Sequence, residues 1–407
     1  MSPILLRNGR VLLAGGCFAE TDLLIEEGCI AAIGKDLGDK GLRDEGLGDK
    51  TGYVGAGVAV ADLGGLLVLP GIVDLHGDAF ERQIMPRPGV SFPLDMALLD
   101  TDRQLIANGI TTAFYGLTYS WEPGLRGREA AFAFLEALDR LRPRLLSDAR
   151  VHLRQEIHNL EGEADILAWI AAGRISLLAF NDHLDMIRDH LAQPEKLGRY
   201  AGRSGLSPAD FLDLVENIGG CPPSEVALSV ARLATAARAR GIALASHDDD
   251  TPERHHHYAD LGCGISEFPL NLATAEAATA RGNAVVAGAP NVVRGGSHSH
   301  GPSAADLVER GLARVLTSDY YYPSLMQAAF RLAARGTLPL AGAWALISTN
   351  PAREAGLADR GLIAEGKRAD LVLVDAADET LPCLVGVYAA GVPVLTTDRR
   401  VFPHVWL

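Results

Sequence analysis

From residue 68 onward the chain repeats one pattern: a short apolar segment, a polar residue at its end, and then a helical segment. Eight apolar segments predict strands, at residues 68–75, 110–115, 150–157, 175–182, 241–246, 263–268, 284–289 and 313–318. Strands that alternate with helices favour parallel pairing. Eight such units predict an α/β fold, a (β/α)8 TIM barrel, which takes about 250 residues.

Several of the intervening helices carry start and stop signals. Residues 127–141 are amphipathic and end before Pro143, whereas Ser207 and Pro208 suit the N-cap and first helical position of another helix. Similar signals predict helices at 224–240, 303–310 and 324–334.

The two ends of the chain have a different character. Turn signals at Asn8-Gly9 and Glu27-Gly28 separate strand-like runs, and residues 361–374 and 385–393 return to hairpin-like strands. We therefore predict a small β-sandwich domain formed by both chain termini, residues 1–65 and 360–407, and a barrel catalytic domain at residues 66–359. Residues 35–52 are rich in glycine and charge and are interpreted as a solvated loop.

Charge and cysteine content limit the function. With 51 acidic and 37 basic residues the net charge is −14, which disfavours a nucleic-acid or anionic-membrane surface. The five cysteines form no Cys-x-x-Cys pair, which argues for a reducing compartment and against a thiolate zinc site. The N-terminus lacks a signal-peptide layout, and Asp62, Pro70 and several glycines interrupt the apolar run at 53–73. We predict a cytoplasmic protein without a membrane span.

Most of the predicted strands end in residues that can bind metals. In strand order these are His76 and Asp78; Glu156 and His158; Asp182 and His183; His247 and Asp248; Glu267; Asn291 and Arg294; and Asp319. Each alone is explained equally well by a turn, a helix cap or a surface ion pair. In a barrel, however, the C-terminal ends of the strands meet at one face. Imidazole and carboxylate ligands without thiolate suit Zn²⁺, Mn²⁺, Fe²⁺ or Co²⁺. Such cations activate water at neutral pH, and Asp319 is the candidate proton acceptor.

Three further segments are weaker candidates. Arg87 lies in the stiff loop Met85-Pro-Arg-Pro88, where it could reach an anionic ligand or pair with an acidic side chain. The segment Arg294-Gly-Gly-Ser297 offers backbone N–H groups and a guanidinium, which suits a phosphate, although an ordinary turn explains it equally well. The run His255-His-His257 is interpreted as a solvated helix start.

The motifs resemble those of the amidohydrolase superfamily. The likeness lies in Pro70-Gly-Ile-Val-Asp-Leu-His76, in Asp319, and in the tail that begins at Asn350-Pro-Ala and ends at Gly366-Lys-Arg-Ala-Asp-Leu-Val-Leu373. More specific stretches resemble the phosphonate-metabolism M protein family (PhnM). They are Leu75-His-Gly-Asp78, Met85-Pro-Arg-Pro-Gly89, Gly109-Ile-Thr-Thr112, Leu153-Arg-Gln-Glu156, residues 243–249, Glu267-Phe-Pro269, residues 288–299 and Ser318-Asp-Tyr-Tyr321.

This resemblance implies a metal-dependent diphosphatase of phosphonate catabolism. The family hydrolyses alpha-D-ribose 1-methylphosphonate 5-triphosphate to the 5-phosphate and pyrophosphate. Two divalent metal ions are implied, with Zn²⁺ as first choice and Mn²⁺ or Fe²⁺ as alternatives. Their implied ligands are His76, Asp78, Glu156, His183, His247 and Asp319, with Glu156 as the bridging carboxylate and His158 as an alternative to His183.

The resemblance also implies a small anionic, phosphorylated substrate. Residues Asn291, Arg294, Gly295, Gly296, Ser297 and His298 would face its phosphates, together with Arg87 from the stiff loop. Two other hypotheses remain: an amidohydrolase that cleaves a cyclic amide or N-acyl bond with the same ligands, and a non-catalytic barrel. A homodimer is compatible with the sequence, which does not specify an oligomeric state.

Overall fold

The computed structural model describes residues 2–37, 58–296 and 301–398. The predicted loop at 35–52 therefore lies mostly outside the described residues. The described strands are β1 (Ile4–Leu12), β2 (Phe18–Glu26), β3 (Cys29–Gly34), β4 (Ala59–Asp62), β5 (Leu67–Pro70), β6 (Ile72–Gly77), β7 (Ile110–Tyr119), β8 (Asp148–Glu156), β9 (Leu177–Asn181), β10 (Ala243–His247), β11 (Ile265–Glu267), β12 (Ala284–Gly288), β13 (Ala313–Thr317), β14 (Leu371–Asp375), β15 (Cys383–Ala389) and β16 (Val392–Thr396).

The described helices fall mainly between the strands of the central part of the chain. They are α1 (Glu81–Ile84), α2 (Leu94–Ala107), α3 (Arg128–Leu141), α4 (Glu163–Ala171), α5 (Leu184–His190), α6 (Pro194–Ser204), α7 (Pro208–Gly219), α8 (Pro223–Ala239), α9 (Pro252–Asp260), α10 (Leu272–Ala280), α11 (Ala289–Arg294), α12 (Ala304–Glu309), α13 (Ser324–Ala334), α14 (Leu340–Ala345) and α15 (Thr349–Glu354). The Ser207 side chain accepts a hydrogen bond from the Asp210 backbone N–H and caps α7, as the sequence predicts.

Strands β6 to β13 form one sheet in chain order, which confirms the predicted barrel. Their pairing is parallel wherever the register is described, for example from β8 to β9 and from β10 to β11. The sheet closes on itself beyond the end of β13, where Gly77 and Asp319 form a parallel bridge. The Asp319 N–H donates to the His76 carbonyl, and the Asp78 N–H donates to the Asp319 carbonyl, each at 2.9 Å.

Strands from both chain ends form the second sheet, in the order β16-β15-β14-β5-β1-β2-β3, with β4 beside β1. Its core contains Leu6, Leu23, Val68, Leu371 and Tyr388, all nearly fully buried. The prediction of a β domain built from both termini is confirmed at the level of fold. The predicted domain boundaries themselves stay a prediction.

The first predicted barrel strand, 68–75, is in fact two strands in different sheets. Residues Leu67–Pro70 pair with β14 of the terminal sheet, and Ile72–Gly77 opens the barrel. The change occurs at Gly71, whose N–H donates to the Asp370 carbonyl, while the indole of Trp344 donates to the Pro70 carbonyl. A continuous apolar run does not reveal this break because both strands are buried.

By their contacts the residues group into two compact units. One comprises residues 1–74, 103–112 and 323–407, and the other residues 75–102 and 113–322. Every strand-end residue of the candidate site belongs to the second unit. No helix in the described part of the chain combines the length and apolar character needed to cross a bilayer.

Gly71→Ala tests the junction between the two sheets. A Cβ there would overlap the Thr111 hydroxyl and approach the Asp370 Cβ to 2.9 Å, so we expect a loss of about 1–3 kcal/mol in unfolding free energy. Urea denaturation measures it. The control is Gly198→Ala in α6, where a Cβ would have no neighbour within 4 Å. Equal effects of the two substitutions would contradict this assignment.

Candidate metal centre

The polar strand ends meet at one mouth of the barrel. The His76 and His247 rings stack with their centroids 5.4 Å apart, and the His183 ring lies 5.5 Å from that of His247. His76 is the penultimate residue of β6, His247 ends β10, and His183 follows β9. These residues, distant in sequence, come together because parallel strands end at the same edge.

Glu267, at the end of β11, contacts two of these histidines. Both of its carboxylate oxygens lie 3.2 Å from His76 Nδ1, and Oε2 lies 3.1 Å from His247 Nδ1. The sequence places Glu267 at a strand end, but its role becomes visible only from these contacts. It is fully buried and links three strands of the barrel.

Hydrogen bonding fixes the tautomer of His247. An Arg154 N–H lies 3.1 Å from His247 Nε2, and because a guanidinium has no acceptor, Nε2 must be the accepting nitrogen. Nδ1 then carries the hydrogen and donates it to Glu267. Carboxylates commonly orient metal-binding histidines in this way, leaving the other nitrogen's lone pair facing the ligand.

The electrostatic environment keeps two of the imidazoles neutral. Burial, reinforced by the Arg154 charge, lowers the pKa of His76 to about 3, and the same causes place the pKa of His247 well below its usual value. Burial raises the pKa of Glu267. Although burial alone would lower the pKa of His183, the carboxylates of Glu156 and Asp248 raise it to about 9. A cation at His183 would therefore displace a proton.

Three groups of side chains could each hold a cation. Within each, one ligand atom per residue lies within 4.8 Å of the others; the groups are His76, His247 and Glu267; His183, His247 and Asp248; and His76, Asp78 and Asp319. Neutral imidazoles with carboxylates are the donor set that Zn²⁺, Mn²⁺ or Fe²⁺ accepts. The residues present therefore fit a divalent metal, although they do not specify which one.

Five of the six predicted ligands fall into these groups: His76, Asp78, His183, His247 and Asp319. Glu156 does not. Its Oε1 lies 2.6 Å from His183 Nδ1, and its Oε2 accepts the His183 backbone N–H. In this structure Glu156 contacts His183 directly, and its bridging role stays a prediction of the resemblance.

The alternative ligand, His158, points elsewhere. Its Nε2 lies 3.5 Å from the Asp182 carboxylate, and its side chain lines a separate cavity of about 820 Å³ with Trp121 and Asn159. Of the two candidates, His183 is the one that reaches His247.

Arg154 is the main site residue that the predicted ligand set lacks. It lies on β8 two residues before Glu156, and its guanidinium donates to Asp78 Oδ2 at 3.3 Å as well as to His247. Side chains two apart on a strand face the same side, so the alternation of His152, Arg154 and Glu156 was a signal present in the sequence.

The predicted phosphate-binding segment is partly described. Asn291 lines a small cavity of about 70 Å³ together with Asp248 and Gly288. Arg294 ends α11, is exposed, and donates to the Tyr320 hydroxyl at 3.2 Å. The N–H groups of Gly295 and Gly296 both donate to the Asn291 carbonyl and cap this helix, so they are not free for an anion. Ser297 and His298 lie outside the described residues.

The structure also describes Arg87 and the histidine run at 255–257. Arg87 lies in an exposed turn closed by the Val90 N–H, and its side chain has no partner among the described residues. The run at 255–257 does lie in a helix, α9, but the expectation of a solvated start is wrong for His255. That ring is fully buried and contacts Asp249 at 3.0 Å, because its position turns inward on the helix.

A parallel eight-stranded barrel with imidazole and carboxylate side chains gathered at its mouth is typical of metal-dependent barrel hydrolases. The chain belongs to the amidohydrolase family, whose model matches residues 67–397. The resemblance seen in the sequence is thereby confirmed.

Within that family, one relative resembles the chain closely. This is the alpha-D-ribose 1-methylphosphonate 5-triphosphate diphosphatase of Escherichia coli (strain K12), which is 36% identical over 321 residues, 76% of this chain and 84% of the relative.

Solved structures share the fold at low identity. A prolidase in complex with N-methylphosphonate-L-proline has a TM-score of 0.62 at 14% identity, over 97% of this chain and 100% of its own. N-acetylglucosamine-6-phosphate deacetylase from Pasteurella multocida has a TM-score of 0.62 at 11% identity, over 96% of this chain and 98% of its own.

Glu267→Gln tests the role of the buried carboxylate. The Glu267 carboxylate can accept from both Nδ1–H groups, whereas a glutamine amide has one acceptor oxygen and an NH2 group that donates. One of the two histidines therefore loses its acceptor, and we expect metal affinity to fall about 10- to 100-fold. Competition with a chromogenic chelator measures the affinity, and circular dichroism checks the fold. The control is Glu163→Gln, since Glu163 pairs with Arg232 on the outer surface. Unchanged affinity in the Glu267 variant would exclude this role.

Proposed function

We propose that the protein hydrolyses alpha-D-ribose 1-methylphosphonate 5-triphosphate to the 5-phosphate and pyrophosphate. The main support for this proposal is the 36% identity to a diphosphatase named for this substrate, over 84% of that relative. The convergence of His76, His183 and His247 supports it, because a hydrolase of this family needs such ligands.

The group with His183, His247 and Asp248 and the group with His76, Asp78 and Asp319 would hold the two proposed cations, with Zn²⁺ as the first choice. A bound cation supplies Lewis acidity that polarises a phosphoryl group and acidifies water. Glu267 keeps His76 and His247 in the tautomer that presents Nε2, and Glu156 holds His183 in place. These contacts fix the ligands before the substrate arrives, which limits reorganisation during the reaction.

Asp319 is the proposed base. It follows β13, and its backbone bridges to Gly77, so it is held at the seam beside His76 and Asp78. Its carboxylate takes the proton from the attacking water as the oxygen bonds to phosphorus. Arg294, on the rim, would contact the leaving pyrophosphate, which carries the developing negative charge.

Asp319→Asn should reduce kcat by about 10²- to 10⁴-fold, because the amide cannot accept the proton. Metal content should remain near normal, since the amide keeps an oxygen ligand; elemental analysis measures it alongside pyrophosphate release. Asp213→Asn, an exposed position in α7, is the charge-matched control. Substantial residual turnover in the Asp319 variant would count against this assignment of the base.

Arg294→Ala separates the proposed activity from amide hydrolysis. We expect KM for triphosphate substrates to rise about 10- to 100-fold, the loss of a charge-assisted hydrogen bond, with any amide turnover unaffected. A panel of ribose 5-triphosphates and N-acyl compounds, scored for pyrophosphate and for amine, gives both readings. Arg310→Ala, exposed beyond α12, is the control. Amine release without pyrophosphate release would replace the proposal with an amidohydrolase.

The partners follow from the same proposal. The proposed ligand is a small anionic phosphorylated molecule, and we expect no binding to nucleic acid or membrane surfaces. A homodimer is compatible with the proposal, which does not specify an oligomeric state. All five cysteines are free, which fits the reducing compartment expected from the sequence. A cytoplasmic location remains our prediction.

A further inference from the structure

Arg154 is a buried cation whose hydrogen-bonding capacity is largely unused. Its side chain is 8% exposed. It contacts Asp78 Oδ2 at 3.3 Å and His247 Nε2 at 3.1 Å, and its Nε has no partner among the described residues. A guanidinium offers five N–H donors in a planar fork.

Other arginines of the same unit are paired very differently. Arg126 binds Glu81 through two hydrogen bonds of 3.0 and 2.8 Å, and Arg203 binds Glu122 through its Nε and Nη2 atoms. Those forked ion pairs satisfy charge and geometry together. Arg154 has one long contact to a carboxylate and one to a neutral imidazole. The Arg154 charge also acts to lower the pKa values of the carboxyls of Glu81, Glu156 and Glu267, but no forked ion pair satisfies its N–H donors.

The position of Arg154 is also specific. Asp78 belongs to one candidate metal group and His247 to the other two, so the guanidinium contacts members of different groups. On the neighbouring strand β7, Gly116 leaves room for it: a Cβ there would already touch the Arg154 Cδ at 3.4 Å.

The contact between Arg154 and His247 Nε2 is incompatible with metal binding at the same nitrogen. The single lone pair on His247 Nε2 can accept a hydrogen bond from Arg154 or bind a cation, but not both at once. When His247 serves as a ligand, the Arg154 N–H group that now contacts it must turn away. That N–H group would then be available to Asp78 or to a bound substrate at the barrel mouth.

We propose that Arg154 is a substrate-contacting residue that binds the phosphoryl group under attack and selects phosphorylated substrates. This inference rests on the proposed function. In the reaction, the water oxygen bonds to the α-phosphorus, the bond from that phosphorus to the bridging oxygen breaks, and the electron pair leaves with pyrophosphate. The water proton goes to Asp319. Negative charge builds on the phosphoryl oxygens, where the guanidinium fork can donate two hydrogen bonds.

The test uses Arg154→Met, which keeps much of the side-chain length without the charge, and Arg154→Lys, which keeps the charge without the fork. We expect Arg154→Met to lower kcat about 10²- to 10³-fold and to weaken the binding of inorganic phosphate, a probe for the attacked phosphoryl group, to the zinc-loaded protein about tenfold or more, with Arg154→Lys intermediate. Zinc affinity should stay level or rise, because a competitor for His247 and a like charge are removed. Calorimetry and chelator competition measure the two affinities.

Arg150→Gln is the matched control. Arg150 lies near the start of the same strand and pairs with Asp148, far along the strand from the polar end. It should leave kcat, inorganic phosphate affinity and zinc affinity unchanged. Thermal unfolding of each variant checks that the barrel is intact, and Arg154→Lys carries the test should Arg154→Met not fold.

The outcomes separate this inference from the proposed function. Wild-type affinity for inorganic phosphate in both Arg154 variants, or zinc affinity reduced tenfold or more in Arg154→Met, would overturn the inference by making Arg154 a structural support of the ligands. If the wild-type protein releases no pyrophosphate from the triphosphate yet binds inorganic phosphate in an Arg154-dependent way, the proposed substrate is wrong and the anion-binding role of Arg154 stands.

Discussion

The seam that closes the barrel is the constraint on which the site depends. His76 and Thr317 are 241 residues apart, yet the Thr317 hydroxyl accepts the His76 N–H at 2.9 Å. Just beyond, the backbone bonds between Asp319 and its partners His76 and Asp78 complete the ring. Contacts this distant in sequence carry a loop-closure cost that the packing of the intervening chain must offset. The group His76, Asp78 and Asp319 therefore comes together where the barrel closes.

A second set of interactions ties the seam to the opposite strands. Glu267 is fully buried, and a carboxylate in that position is costly unless donors surround it. His76 and His247 supply those donors, and Arg154 supplies positive charge nearby. The same contacts determine which imidazole nitrogens remain available as ligands. Stability of the buried carboxylate and readiness of the metal ligands thus have one origin.

Sequence patterns predicted the strands well because each is a buried apolar run with a polar end, and predicted convergence because parallel strands share an edge. They failed where a side chain's partner depends on packing. Arg154 was not assigned a place in the site, but it reaches His247, and Glu156 contacts His183. The glycines at 295 and 296 looked like free donors, yet the preceding helix uses their N–H groups. His255 was expected in solvent, but the helix turns it into the core. Strand alternation alone would have placed Arg154 beside Glu156.

The negative charge at the barrel mouth affects an anionic substrate and a neutral substrate differently. Five carboxylates gather there, those of Asp78, Glu156, Asp248, Glu267 and Asp319, and the chain as a whole carries a net charge of −14. A polyphosphate approaching this mouth is repelled unless cations intervene. A neutral amide meets no such barrier and has no need of a guanidinium between the ligand groups. Bound metal would offset part of the carboxylate charge for either substrate class, since both use the same ligands. The incompletely paired Arg154 is the positive group at this mouth that our proposal assigns to an anionic substrate.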